Sequence, residues 1–223
     1  MKVEIFSDVV CPWCYIGHVR FARAAERFRA RGGTLEVTMR PFQLDPGASA
    51  QGEPALPALE RKFGANARQM TERVVTTAAG DGLRLDYDKA VATNTFEAHR
   101  LIEVATRQGF GTEMAERLFR AYFTEGRNVG DAGVLGELAA EAGVHDDGKG
   151  AEEVRGQLAR ARELGITGVP LFLFEGKFAV SGAQPEETFA AAIDEVAERT
   201  GQASITQLAA PADGCDDDGY CAV

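Results

Sequence analysis

Positive charge is scarce in this chain of 223 residues: 24 Lys and Arg stand against 34 Asp and Glu, leaving a net charge of -10. That deficit speaks against nucleic acid and anionic membrane surfaces as partners, since both reward Lys and Arg. Long apolar runs are missing too, so no membrane span is expected. The N-terminus, Met1-Lys2-Val3-Glu4-Ile5-Phe6, runs directly into a strand pattern. It has no apolar segment of signal-peptide length and no small-residue cleavage site, which predicts a cytoplasmic protein. Cysteine is limited to four residues. A chain of this length buries roughly 70 % of its unfolded surface on folding, so it needs no disulfide scaffold and its cysteines are available for chemistry. In a reducing cytoplasm a disulfide between them would be transient and catalytic.

Two of the four form Cys11-Pro12-Trp13-Cys14, between an alternating apolar run, Met1 to Asp8, and a long amphipathic run, Tyr15 to Arg31. If a helix starts near Cys11, that thiol lies where unpaired N–H groups and the positive end of the macrodipole favour a thiolate. Such a position lowers a cysteine pKa from about 8.5 to roughly 3.5–7.5. Cys11 is the expected nucleophile. Cys14, three residues on along the same face, suits a buried resolving thiol. Pro12 fits the first helical position, where its missing N–H has no intrahelical partner to lose. Trp13 adds bulk without charge, so no cation sits between the two sulfurs. A zinc half-site is the competing reading, but the second pair, Cys215 and Cys221, is spaced differently and lies in a tail. No metal and no cofactor are expected.

The remainder of the chain sets this motif in an α/β frame. Residues 2–8 read as a buried strand, 12–31 as a helix closed by Gly32-Gly33, and 34–42 as a second strand, parallel to the first. Open α/β sheets place their sites at the carboxyl ends of such strands. From Pro41 a Pro- and Gly-punctuated loop leads into an all-helical pattern that no strand pattern interrupts. Its helices are expected at 55–64, 66–79, 95–108, 112–125, 131–142 and 150–164. Two short apolar runs, 171–174 and 178–181, follow Gly168-Val169-Pro170 and read as a hairpin. Proline at the mouth of an interior strand is awkward, which makes Val169-Pro170 a candidate cis peptide. A last helix spans 185–200, and 202–223 reads as a flexible acidic tail.

This order resembles the DsbA family of thioredoxin-like thiol–disulfide oxidoreductases. Phe6-Ser7-Asp8, Cys11-Pro12-Trp13-Cys14-Tyr15-Ile16-Gly17, Asn94-Thr95 with Ala98-His99-Arg100-Leu101, Gly168-Val169-Pro170 and Ser181-Gly182-Ala183-Gln184-Pro185 look like its FrnE-like branch. The resemblance implies a thioredoxin-like fold with a large all-helical insertion. It places a discontinuous thioredoxin-like domain at 1–45 and 165–201, the insertion at 46–164, and a tail at 202–223. It also implies a cis Pro170 packed on the dithiol, with Pro12, Trp13, Val169 and Pro170 contacting a substrate strand by β-augmentation. Protein disulfides or small thiols, glutathione among them, are the implied substrates. Kappa-class glutathione transferases and 2-hydroxychromene-2-carboxylate isomerases share this scaffold, but generally carry Ser where this chain has Cys11. They stand second, and a redox-regulated chaperone or binding protein third.

Other polar residues carry open alternatives. His18, on the helical face of Cys14, either assists proton transfer or is a partly exposed structural residue. Asn94 and His99 either bind substrate or tie helices together. Asp8 accepts a proton near Cys14 or serves a capping or loop role, and His145 reads as a solvated loop residue. Cys215 and Cys221 are an accessory redox pair that exchanges with the main one, or an inert tail. Monomer and homodimer are both open.

Overall fold

The structure, a computed structural model, describes residues 1–201. The expected acidic tail, with Cys215 and Cys221, lies outside the described residues. Strand β1 (Lys2–Ser7) is the spine of a four-stranded sheet of order β2-β1-β5-β6. It runs parallel to β2 (Glu36–Pro41), in register from Lys2 opposite Glu36 to Ser7 opposite Pro41. On its other side it is antiparallel to β5 (Leu171–Phe174), with Val3 opposite Phe174. The edge strand β6 (Phe178–Ser181) completes the hairpin. An interior strand must bury side chains on both faces, and Val3, Ile5 and Phe6 are all at or near zero exposure.

Helix α1 (Pro12–Ala30) links β1 to β2 and packs along α8 (Glu186–Arg199). Its stop is local: Gly32 takes φ +88°, a value that needs no Cβ. Phe21 of α1 meets Phe172 of β5 at 5.2 Å and Phe189 of α8 edge-on at 5.7 Å, while Phe172 and Phe189 close the triangle at 4.5 Å. Each such pair adds about 0.5–1.5 kcal/mol beyond its buried area, so this cluster locks both helices onto the sheet.

Between β2 and β5 the chain is mostly helical: α2 (Ala55–Phe63), α3 (Ala67–Gly80), α4 (Phe96–Arg107), α5 (Gly111–Arg120), α6 (Ala132–Glu141) and α7 (Ala151–Glu163). Helices α4, α5 and α7 pack against β2. An ion cluster adds a polar tie: Arg160 of α7 grips Glu4 of β1 through two bonds of 2.6 and 2.7 Å, and Arg40 of β2 adds a third at 2.6 Å.

Three local expectations are corrected. The helical stretch is interrupted by a two-residue antiparallel ladder, β3 (Glu53–Pro54) with β4 (Val91–Ala92), too short to leave a period-two pattern. The helix expected at 112–125 is α-helical only to Arg120 and then widens into a π turn, Ala121–Glu125. The second strand is shorter than 34–42.

Candidate active site

Cys11 is the N-cap of α1, with extended backbone (φ -89°, ψ 115°), and Pro12 occupies the first helical position. No acidic side chain stands in the first turn to compete for the free N–H groups. The Cys11 amide donates to the Asp8 carbonyl at 3.0 Å, and the Cys11 carbonyl accepts from Cys14 N–H at 3.1 Å and Tyr15 N–H at 3.3 Å. The chain therefore leaves β1 through one tight turn and enters the helix with both thiols on its inner side. Both are free. Cys14 is 1 % exposed, and Cys11 4 %. Burial pushes the Cys14 thiol well above its ordinary pKa, and Cys11 beside it adds to the rise; the Asp8 backbone and Ser7 side chain oppose it. Such a thiol keeps its proton until a step removes it.

The roof of the dithiol is the loop before β5. Cys11 Sγ lies 3.9 Å from the Val169 carbonyl, and the Val169-Pro170 peptide is cis. Close approach here depends on Gly17. A Cβ at that position would stand 3.1 Å from Pro170 Cγ and 3.4 Å from both Ala183 Cα and Phe172 Cζ. Pro170 is buried, and Pro12, Trp13 and Val169 are half-buried around the sulfurs.

An aromatic wall from the helical stretch closes another side. Tyr15 stacks on Phe119 at 5.0 Å and on Phe123 at 6.1 Å, and Tyr87 and Tyr122 meet Phe123 edge-on at 6.0 and 4.7 Å. Burial raises both the Tyr87 and the Tyr122 phenol; negative charge at Tyr122 and Cys11 adds to Tyr87, and Asp8 adds to Tyr122. Sequence reading passed over these tyrosines. The only local signal is the π turn, a form that gathers at functional sites, and it is invisible in the hydrophobic pattern.

The other anticipated residues separate. His18, expected to be half-exposed, is buried at 6 % exposure, tilted against Phe119 at 6.0 Å. Its Nδ1 has no partner, and burial lowers its pKa to about 4. The reason for the correction is α5, which covers this face of α1. The Asn94 side chain is taken up by loop partners: it accepts from Phe96 N–H at 2.9 Å and Gln43 Nε2 at 3.2 Å, and donates to the Pro46 carbonyl at 2.9 Å. It fastens the loop after β2. His99 and Asp8 come together behind the dithiol, 3.3 Å apart. His145 is exposed, as expected of a loop residue.

A dithiol at a helix N-cap, at the carboxyl end of the central strand and under a cis-proline loop, defines a thioredoxin-like protein with a helical insertion. The chain belongs to the family of the DSBA-like thioredoxin domain, whose model matches residues 2–194. Members of this family are thiol–disulfide oxidoreductases. A probable DsbA oxidoreductase from Streptomyces coelicolor is 36 % identical, with 100 % of this chain and 99 % of that one covered at a TM-score of 0.80. An uncharacterised Bacillus subtilis (strain 168) protein, YwbO, is 29 % identical over 209 residues, 87 % of this chain and 96 % of its own. The cytosolic disulfide reductase DsbM from Pseudomonas aeruginosa, solved with GSH, shares the fold at 23 % identity and a TM-score of 0.63, with 89 % and 100 % covered.

Proposed function

We propose that this protein is a dithiol–disulfide oxidoreductase in which Cys11 attacks and Cys14 resolves. The observation that carries the reading is the pairing of an N-cap thiol, Cys11, with a buried thiol one turn on, Cys14, beneath the Val169 carbonyl. The Cys11 thiolate attacks a substrate disulfide and expels one substrate thiolate. Cys14 then attacks Cys11 of the mixed disulfide, closes the intramolecular bond and releases the second. In reverse the same steps oxidise a substrate dithiol.

Pro12, Trp13, Val169 and Pro170 form the rim on which an extended substrate segment pairs with the Val169 backbone. Residues 46–164 act as a lid over the thioredoxin-like part, 1–45 with 165–201. Substrates are protein disulfides or small thiols. The disulfide reductase named in the Pseudomonas relative supports glutathione as one of them, and supports work in the cytoplasm. Among the described residues no helix is long and apolar enough to cross a membrane.

The test is the equilibrium of the Cys11–Cys14 pair against glutathione buffers, with insulin reduction and reduced-RNase oxidation assayed on the same preparation. A two-electron equilibrium with activity in either assay, lost in Cys11→Ser, is expected. Full exchange activity in Cys11→Ser would sink the assignment.

A further inference from the structure

The dithiol reading leaves unused a cavity of about 570 Å³ between α2, α3 and the segment 84–88 that leads to β4. Leu56, Val75, Leu85 and Tyr87 give it an apolar lining, and charged side chains of both signs stand around them. Two of those charges are already partnered: Arg68 pairs with Glu60 at 2.8 Å, and Asp86 with Lys89 at 3.0 Å. Glu72, Arg84 and Asp88 are exposed and make no ion pair among the described residues. Ligand sites run from roughly 300 to 1,000 Å³ and combine an apolar lining with a few polar groups that fix orientation. This cavity has both.

It adjoins the dithiol through Tyr87. That ring meets Phe123 edge-on at 6.0 Å, and Phe123 lies against Tyr15 at 6.1 Å, one helical turn on from Cys11. The Tyr87 phenol also feels the charge of Cys11. The α3 wall is anchored to the same helix: Asp81, the C-cap of α3, accepts from Arg20 Nε of α1 at 2.9 and 3.1 Å. A molecule whose sulfur meets Cys11 therefore has this cavity for whatever extends past Tyr87.

Unpartnered charges of opposite sign define the class of ligand. Arg84 suits a carboxylate, and Glu72 with Asp88 suit an ammonium group. We propose, building on the dithiol reading above, that this cavity binds the non-reacting part of short peptide disulfides that carry free amino and carboxyl groups. The Cys11 thiolate attacks the sulfur whose chain lies in the cavity, and the other half leaves as a thiolate with the bonding electron pair. Cys14 then attacks Cys11, closes the intramolecular disulfide and releases the held half. Two electrons pass from the dithiol to the substrate disulfide, and the dithiol's two protons end on the two peptide thiols.

The test follows oxidation of the full-length reduced protein by four soluble disulfides, with samples quenched by a thiol-alkylating agent and Cys11 and Cys14 read by mass spectrometry. Cystinyl-bisglycine carries both charges, 3,3′-dithiodipropionate only the carboxylate, cystamine only the ammonium, and 2-hydroxyethyl disulfide neither. Each rate is divided by that of the same disulfide with dithiothreitol, which removes differences in leaving-group strength. The corrected rate is expected to be highest for cystinyl-bisglycine, roughly three- to tenfold above 2-hydroxyethyl disulfide. Arg84→Gln is expected to lower the two carboxylate-bearing probes relative to 2-hydroxyethyl disulfide by a similar factor. Glu72→Gln combined with Asp88→Asn is expected to do the same to the two ammonium-bearing ones. All three residues are exposed, so the substitutions cost the fold little. Equal corrected rates for all four probes, or losses that ignore probe charge, overturn the proposal. Oxidation of the Cys11–Cys14 pair by none of them overturns the dithiol reading instead.

Discussion

Gly17 and Pro170 stand so close that a single added carbon would meet the proline ring at 3.1 Å. The helix carrying both thiols and the loop roofing them are thus seated against each other by a missing side chain, one turn beyond Cys14.

Gly17→Val is therefore expected to destabilise the protein by about 1–3 kcal/mol, as overpacked cores do. Chemical denaturation measures the loss. Gly17→Ala is the graded control, since its smaller bulk is partly offset by about 1 kcal/mol of helix propensity. The same substitution pushes the Val169 carbonyl away from Cys11, so exchange activity should fall with stability. Equal stability of the glycine and valine forms would show that the loop yields freely.

Trp13 leaves the helix N-terminus without a cation between the sulfurs. In Trp13→His an imidazolium would stabilise the Cys11 thiolate, and with it the reduced form, raising the oxidising power of the pair. A shift of about 30 mV, equivalent to roughly 1.4 kcal/mol for a two-electron couple, is the expected scale. Equilibration with glutathione buffers reads it directly. A potential that stays put would mean that backbone N–H groups alone govern Cys11.

His18 makes stability depend on acid. It is buried and neutral with its pKa lowered to about 4, whereas in the unfolded chain it binds a proton near the ordinary value of 6.5. The unfolded state thus binds more protons between those values. The contribution is complete above about pH 6.5, declines as pH falls, and levels off below about pH 4. Its full size is about 3 kcal/mol. Denaturation curves across that window should show the decline, and His18→Leu should flatten it. An unchanged slope in the leucine variant would assign the acid sensitivity to other groups.

Much of this site was legible before folding was considered. Cys11, Pro12 and Cys14 announce a helix start by residue type and spacing, and Val169-Pro170 announces itself by sitting where a strand mouth tolerates proline poorly. What the one-dimensional pattern cannot carry is who covers whom. His18 reads the same whether or not α5 lies over it, and only the packing of Phe119 decides that it is buried. Asp8 reads equally as a proton acceptor near Cys14 and as a loop or capping residue until Leu44 and His99 arrive from elsewhere in the chain. Tyr122 is buried within a turn where the helix widens by one residue, a change of winding that leaves the apolar periodicity almost untouched.

The sheet order carries a consequence for synthesis. Cys11 and its roof at Val169 are 158 residues apart in sequence, and the central strand β1 gains its second neighbour only when β5 pairs with it. At about 5–20 residues per second, a ribosome holds the two thiols without their roof for roughly 8–30 s before the Val169 segment exists. A nascent chain in that interval carries the motif without the site. Any chain that stops before β5 carries the two sulfurs with their aromatic wall but without their roof, so completeness of the polypeptide is itself a condition for controlled thiol chemistry here.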